Sequence, residues 1–172
     1  MKKLLTITAL FALAVPVAFA APPDPTPAQL CKQQRQSMSA ADFASLYAPG
    51  KPKSALGKCI SNQSQLIATS TANAAKQCKA ERGTTAQSVQ AFKDAHGTNK
   101  NKANAMGNCV SGKAKEAVTA QQQQTLNAAK QCKAERGTTA QSVQAFKDAH
   151  GTNKNKSNAF GKCVSKTVKS GS

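Results

Sequence analysis

The residues able to do chemistry are few. Six Cys, two His and seven Asp or Glu stand among 172 residues. Cys78, His96 and Cys109 fall in one stretch, repeated as Cys132, His150 and Cys163. Thiolates and imidazoles in such a set are zinc ligands in a reducing compartment. The spacing lacks the paired CxxC of common zinc sites. An earlier, more divergent copy of the stretch, from Cys31 to Cys59, carries Tyr47 where the others carry His. Tyr for His keeps a flat ring with a polar tip and removes the ligand, so both His are expected to cap small cores. Catalytic groups do not converge either. Glu81 and Glu135 precede Arg82 and Arg136, and Asp94 and Asp148 follow Lys93 and Lys147, as in ordinary charge balance on solvated faces. G-x-S-x-G, H-E-x-x-H and P-loop patterns are missing, and Ser111-Gly112-Lys113 lacks both the upstream Gly and the following Ser or Thr. The sequence reads as a non-enzyme with no cofactor, no metal site and no catalytic residue.

One segment points its chemistry outward. In His96-Gly97-Thr98-Asn99-Lys100-Asn101-Lys102, Lys100 and Lys102 flank the expected start of a helix, whose free N–H groups and dipole favour an anion. The first copy keeps the charge as Lys51 and Lys53, and the third as Lys154 and Lys156. These six lysines are the candidate anion-binding residues. The competing reading is a solvated Lys/Asn loop chosen for capping and solubility. A formal net charge of +17 weighs towards polyanions.

The elements that must position these residues come in a threefold repeat. Asn73 to Lys102 recurs unchanged as Asn127 to Lys156, and the match runs on to Ser111 and Ser165 with only Ala103 to Ser157, Met106 to Phe160 and Asn108 to Lys162 differing. The first copy aligns Arg35 with Arg82, Phe43 with Phe92, and Ala55-Leu56-Gly57-Lys58-Cys59 with Ala105-Met106-Gly107-Asn108-Cys109. The pattern Cys-Lys-Ala-Glu-Arg, then Phe, then Gly-Thr-Asn-Lys-Asn-Lys-x-Asn-Ala-Phe-Gly-Lys-Cys-Val-Ser resembles a short Cys-bounded repeat of secreted bacterial proteins. The resemblance covers 73–111 and 127–165 well and 31–60 loosely. It implies export and modularity and carries no activity.

Each module is expected to hold three helices, in an all-α fold of three small disulfide-stapled modules joined by long helices or helical linkers. Thr26, Pro27 and Gln29 form a capping box opening the first helix, and Gly83 and Gly137 close its later copies. Thr84 to Gln87 offers a second capping box, for a helix ending at Gly97 or Gly151. Pro52 aligns with Lys102, which places the start of the third helix there, with Asn101 as N-cap. No Pro follows Pro52, so the third helix of one module is expected to run into the first helix of the next. Apolar stripes fall at Val89, Phe92 and His96, and at Met106, Cys109 and Val110, the latter matching Leu56, Cys59 and Ile60. Past residue 20 there are only twenty Leu, Ile, Val, Met, Phe and Tyr, enough for thin cores that need covalent staples.

Residues 1–20 read as a signal peptide. Lys2 and Lys3 precede an apolar run ending in Ala18-Phe19-Ala20, a peptidase site. An exported chain, periplasmic or extracellular, favours disulfides. Each copy carries one Cys pair, so the expected bridges are Cys31–Cys59, Cys78–Cys109 and Cys132–Cys163. Continuous helices would hold Cys59 about 28 Å from Cys78 and Cys109 about 35 Å from Cys132, which excludes those two cross-module bridges. The expected layout is a Pro-rich linker at 21–27, module 1 at 28–63, a helical linker at 64–72, module 2 at 73–112, a Gln-rich helical linker at 113–126, module 3 at 127–168 and a flexible tail at 169–172. Partners of the expected chemistry are lipopolysaccharide, an anionic wall polymer or non-specific nucleic acid. The alternative is a structural or protein-interaction spacer whose charge serves solubility, and no particular protein partner is indicated.

Overall fold

The computed structural model describes residues 25–171. The expected signal peptide, residues 21–24 of the Pro-rich linker and Ser172 lie outside them. Seven α-helices account for the described fold: α1 Pro27–Gln36, α2 Ala40–Tyr47, α3 Ala55–Arg82, α4 Ala86–His96, α5 Ala105–Arg136, α6 Ala140–His150 and α7 Ala159–Ser170. No strand is present among the described residues. All three expected disulfides form: Cys31–Cys59, Cys78–Cys109 and Cys132–Cys163.

The inter-module segments are continuous helix, 28 residues in α3 and 32 in α5. The Ser- and Thr-rich run within α3 stays helical because one face is buried: Gln63, Ser70 and Ala74 are covered, as are Ala114 and Val118 of α5. Burial outweighs the weak local propensity of these residues. Cys78 near the end of α3 is joined to Cys109 near the start of α5, so the two long helices return on one another as an antiparallel hairpin.

This return sets the architecture. Module 2 sits at the turn of the hairpin, and modules 1 and 3 meet at its open end, where α2 packs on α7. Arg136 donates to the buried carboxylate of Asp42, 2.6 Å away. Gln122 of α5 donates to the carbonyl of Leu30 in α1, and Met38 and Leu46 of module 1 pack on the core of module 3.

The cores are small, as composition demands. Module 2 buries Cys78, Phe92, Ala105 and Cys109, with Met106 and Val110 half-buried against them. The disulfide is therefore part of the packing as well as a cross-link.

Helix starts differ from the sequence reading in two places. The third helix begins at Ala55, Ala105 and Ala159, three residues after the expected start. Lys102 and Lys156 adopt φ of 55° and 52°, outside helical geometry, and Asn101 accepts from the N–H of Ala103, so it turns the loop and does not cap. Pro52 instead opens a short 3-10 turn, Pro52–Ser54. In place of the second capping box there is a simple N-cap one residue later. Thr85, not Thr84, is the N-cap and accepts from the N–H of Ser88, because Gly83 at φ 61° first reverses the chain. At the other end, α7 runs through Ser170, two residues into the expected tail.

The stripe on the third helix shifts as well. Leu56, expected inside, is the exposed large hydrophobic at 39% exposure, whereas Ala55 beside it is buried. Its counterpart Phe160 is buried in module 3, because module 1 covers that module.

Candidate anion-binding loops and the His–Glu pairs

The loop between α4 and α5 is built from its own amides. Asn104, last before α5, turns its side chain back: its Oδ1 accepts from the N–H groups of Thr98 and Asn99, and its Nδ2 donates to Thr98 Oγ1. Asn158 repeats all three bonds with Thr152 and Asn153. Gly97 is required because a Cβ there would stand 2.4 Å from Lys102 Cβ and 2.6 Å from the carbonyl of Lys93. The loop thereby wraps tightly over the end of α4 and projects Lys100 and Lys154 outward, both exposed.

The six candidate lysines divide into two kinds. Lys102 and Lys156 fold back along the surface and pair with Asp94 and Asp148 of the same modules. Those contacts hold both carboxyls below their ordinary range, with the lysine hydrogen bond as the leading cause. Lys51, Lys53, Lys100 and Lys154 are exposed and have no ion-pair partner among the described residues. Spacing could not separate the two kinds, because the Asp94 contact depends on the left-handed turn at Lys102.

The docking of modules brings two loops together and leaves the third apart. Gly50, beside Lys51, abuts Ser157, beside Lys156: a Cβ on Gly50 would lie 3.8 Å from Ser157 Oγ. Lys51, Lys53, Lys154 and Lys156 therefore belong to neighbouring loops at the open end, with Asp148 as the acidic group paired there. Lys100 and Lys102 stand at the opposite end of the hairpin.

The histidines occupy the place of a ring on a small core. His96 stacks on Phe92 with centroids 4.7 Å apart, and its Nε2 lies 2.6 Å from Glu81 Oε1. His150 repeats this with Phe146 and Glu135. In module 1, Tyr47 stacks on Phe43 at 4.9 Å and donates its hydroxyl to Gln34. Gln34, Glu81 and Glu135 each stand three residues after the first Cys of their module. Ring and partner have thus changed together, Tyr with Gln and His with Glu, a coupling that sequence alignment contained but did not reveal without the contact. Glu81, His96 and Cys109 are close enough to share an ion, as are Glu135, His150 and Cys163, but both sulfurs are in disulfides and offer no thiolate. Hydrogen bonds from His96 and then Lys113 hold Glu81 below its ordinary value.

No protein-family model, curated protein or solved structure matches this chain. Among the described residues, no helix is long and apolar enough to cross a membrane.

Proposed function

We propose that this is an exported, non-enzymatic repeat protein that holds anionic polymers of the cell envelope or its surroundings through its basic loops. The observation that carries the reading is the docking of modules 1 and 3, which brings Gly50, next to Lys51, close to Ser157 in the loop that carries Lys154. Asp148, the acidic group at these loops, is taken by Lys156. Asp42, Glu81, Asp94, Glu135 and Asp148 are each engaged within the chain, leaving most of the 22 basic residues from 25 to 171 unmatched.

Lysine suits this task. It is a flexible point charge that neutralises phosphate or sulfate without demanding a fixed geometry, whereas bidentate recognition calls for Arg. Among the described residues Arg is confined to Arg35, Arg82 and Arg136. The aromatic rings are buried or packed on the module cores, so stacking on nucleobases has little to draw on. Export is supported by the leader-like first twenty residues and by the three disulfides.

The test is binding of the mature, oxidised protein to heparin, to lipopolysaccharide and to a neutral glycan across a salt series. Salt-sensitive binding to both anions and none to the neutral glycan is expected. Absence of binding to any polyanion near physiological salt would transfer the protein to the spacer reading.

A further inference from the structure

The seat that module 3 offers to module 1 is present in all three modules and filled in one. In module 3 its parts are Arg136, Phe160 and Gly161. Arg136 reaches Asp42 of α2 and lies over the Phe160 ring, 5.4 Å from its centroid. Gly161 lets the backbone of α2 pass close: a Cβ there would meet the carbonyls of Ser45 at 3.2 Å and Leu46 at 3.3 Å. Leu46 packs on the module 3 core. What α2 presents is thus a carboxylate at Asp42 and a leucine one turn later at Leu46.

Module 2 carries the same set as Arg82, Met106 and Gly107, and module 1 as Arg35, Leu56 and Gly57. No helix of another module is seated on these faces, and Met106 is half-buried only against its own module's core. Arg82 and Arg35 are exposed and have no ion-pair partner among the described residues. A Cβ on Gly107 or on Gly57 would meet nothing within 4 Å. Leu56 is exposed, at the rim of an open cleft of about 420 Å³ that also includes Arg35 and Phe43. Glycine on an open helical face weakens the helix, and neither module's own packing requires it. The requirement appears only where a second helix sits on the face, as at Gly161.

We propose that the Arg–apolar–Gly faces of modules 1 and 2 each take one amphipathic helix of a partner protein, bearing an Asp or Glu and, four residues later, a leucine-sized side chain. The seated α2 supplies the geometry, and the two unmatched arginines supply the charge complement. The helices equivalent to α2 within this chain cannot serve as occupants, because α4 and α6 have Ala91 and Ala145 in place of Asp42, and Ala95 and Ala149 in place of Leu46. In module 1 Lys53 also lines this cleft, whereas in module 2 none of the candidate lysines belongs to the Arg82, Met106 and Gly107 face, so the module 2 site tests the docking reading apart from the lysine loops.

The test uses the full oxidised chain and a fluorescent peptide copying residues 37–49, with Phe43→Lys and Tyr47→Glu joined as a lactam. Those two positions face the core of module 1 in the structure and leave Asp42 and Leu46 free. Anisotropy should show saturable binding to two sites. Gly107→Ala with Gly57→Ala should weaken it at least about tenfold while raising Tm, since the methyl groups favour the helix and obstruct only the incoming backbone. Arg82→Ala with Arg35→Ala should weaken it similarly, and an Asp42→Asn peptide should bind no better than those variants allow. Heparin binding should be unchanged by the glycine variants, which alter no charge. Binding insensitive to the glycine changes overturns the proposal, as does no binding up to millimolar peptide. Self-association of the peptide-free chain, lost in the glycine variants, also overturns it, in favour of α2 exchange between copies.

Discussion

Arg136 holds Asp42 across 94 residues of sequence, and the carboxylate it holds is 1% exposed. A buried charge of this kind is tolerable only while its partner remains. Arg136→Ala, which strands that carboxylate, should therefore destabilise the chain by about 3 kcal/mol, the lower end of the range for breaking a buried ion pair, and Asp42→Ala, which leaves a partly solvated guanidinium, should cost less. The double variant should cost much less than the sum of the two. Arg82→Ala, the same residue of the duplicated module in an exposed place, should stay within about 0.5 kcal/mol. Denaturant unfolding of the four variants checks all of this, and additive losses at 42 and 136 would deny the coupling.

How the modules meet was the part of the fold that local sequence did not carry. Caps, Pro and Gly marked the helices, the repeat put one Cys pair in each module, and helix length excluded a bridge between Cys59 and Cys78, which lie on one rod, α3. The hairpin of α3 on α5 buries Ser70 and Ala74 on one helix and Ala114 and Val118 on the other, mostly residues without a strong apolar signature. Yet traces of the docking were present. Of the three differences between the second and third copies, Phe160 and Ser157 stand against module 1. The lysines were legible as charge and not as geometry: left-handed φ at Lys102 reverses it towards Asp94, and nothing in residue type demands that conformation of Lys.

The ring exchange at the three cores should be transferable as a pair. His96→Tyr with Glu81→Gln reproduces module 1 inside module 2 and should leave stability within about 1 kcal/mol, since ring, stacking and hydrogen bond are all retained. His96→Ala removes the stack on Phe92 and should cost more. Phe92→Ala empties the small core and should cost about 3–5 kcal/mol, sufficient to unfold the module while the hairpin survives. Hydrogen exchange resolved by segment distinguishes local from global loss.

Two pH dependences follow, with opposite signs. Glu81, Asp94 and Asp148 are held below ordinary values of 4.5, 3.8 and 3.8 by hydrogen bonds from His96, Lys102 and Lys156 respectively. A folded value below the unfolded one gives stability that is full above the unfolded value and lost as pH falls through the folded one. Tm should be flat near neutrality and decline below about pH 4, less so in the Asp94→Asn, Asp148→Asn variant. Tyr47 behaves in reverse. Burial raises it above 10.0, so its contribution is full below that pH and lost as pH rises through the folded value. As the chain has a single Tyr, absorbance of tyrosinate reads this group alone, and the native titration should lie to the alkaline side of the denatured one.

The charge reading predicts that position matters and not only number. Changing Lys51, Lys53, Lys100 and Lys154 to Gln removes four exposed charges from the loops while leaving the ion pairs of Lys102 and Lys156 intact. Changing Lys76, Lys79, Lys130 and Lys133 to Gln removes four from the exposed sides of the long helices. Both sets lower the net charge equally, so a polymer attracted to the whole molecule should lose the same affinity from each. If the paired loops grip the chain of phosphates or sulfates, the first set should lower heparin affinity about tenfold or more at physiological salt. It should also flatten the slope of log affinity against log salt by about three to four units. The second set should lower affinity by a few-fold with a smaller change in slope. Within the first set, Lys51, Lys53 and Lys154 should act together, since the contact of Gly50 with Ser157 places their loops side by side, while Lys100 at the far end of the hairpin should contribute separately. Equal losses from the loop and helix sets would assign the binding to a diffuse surface field and remove the loops as a site.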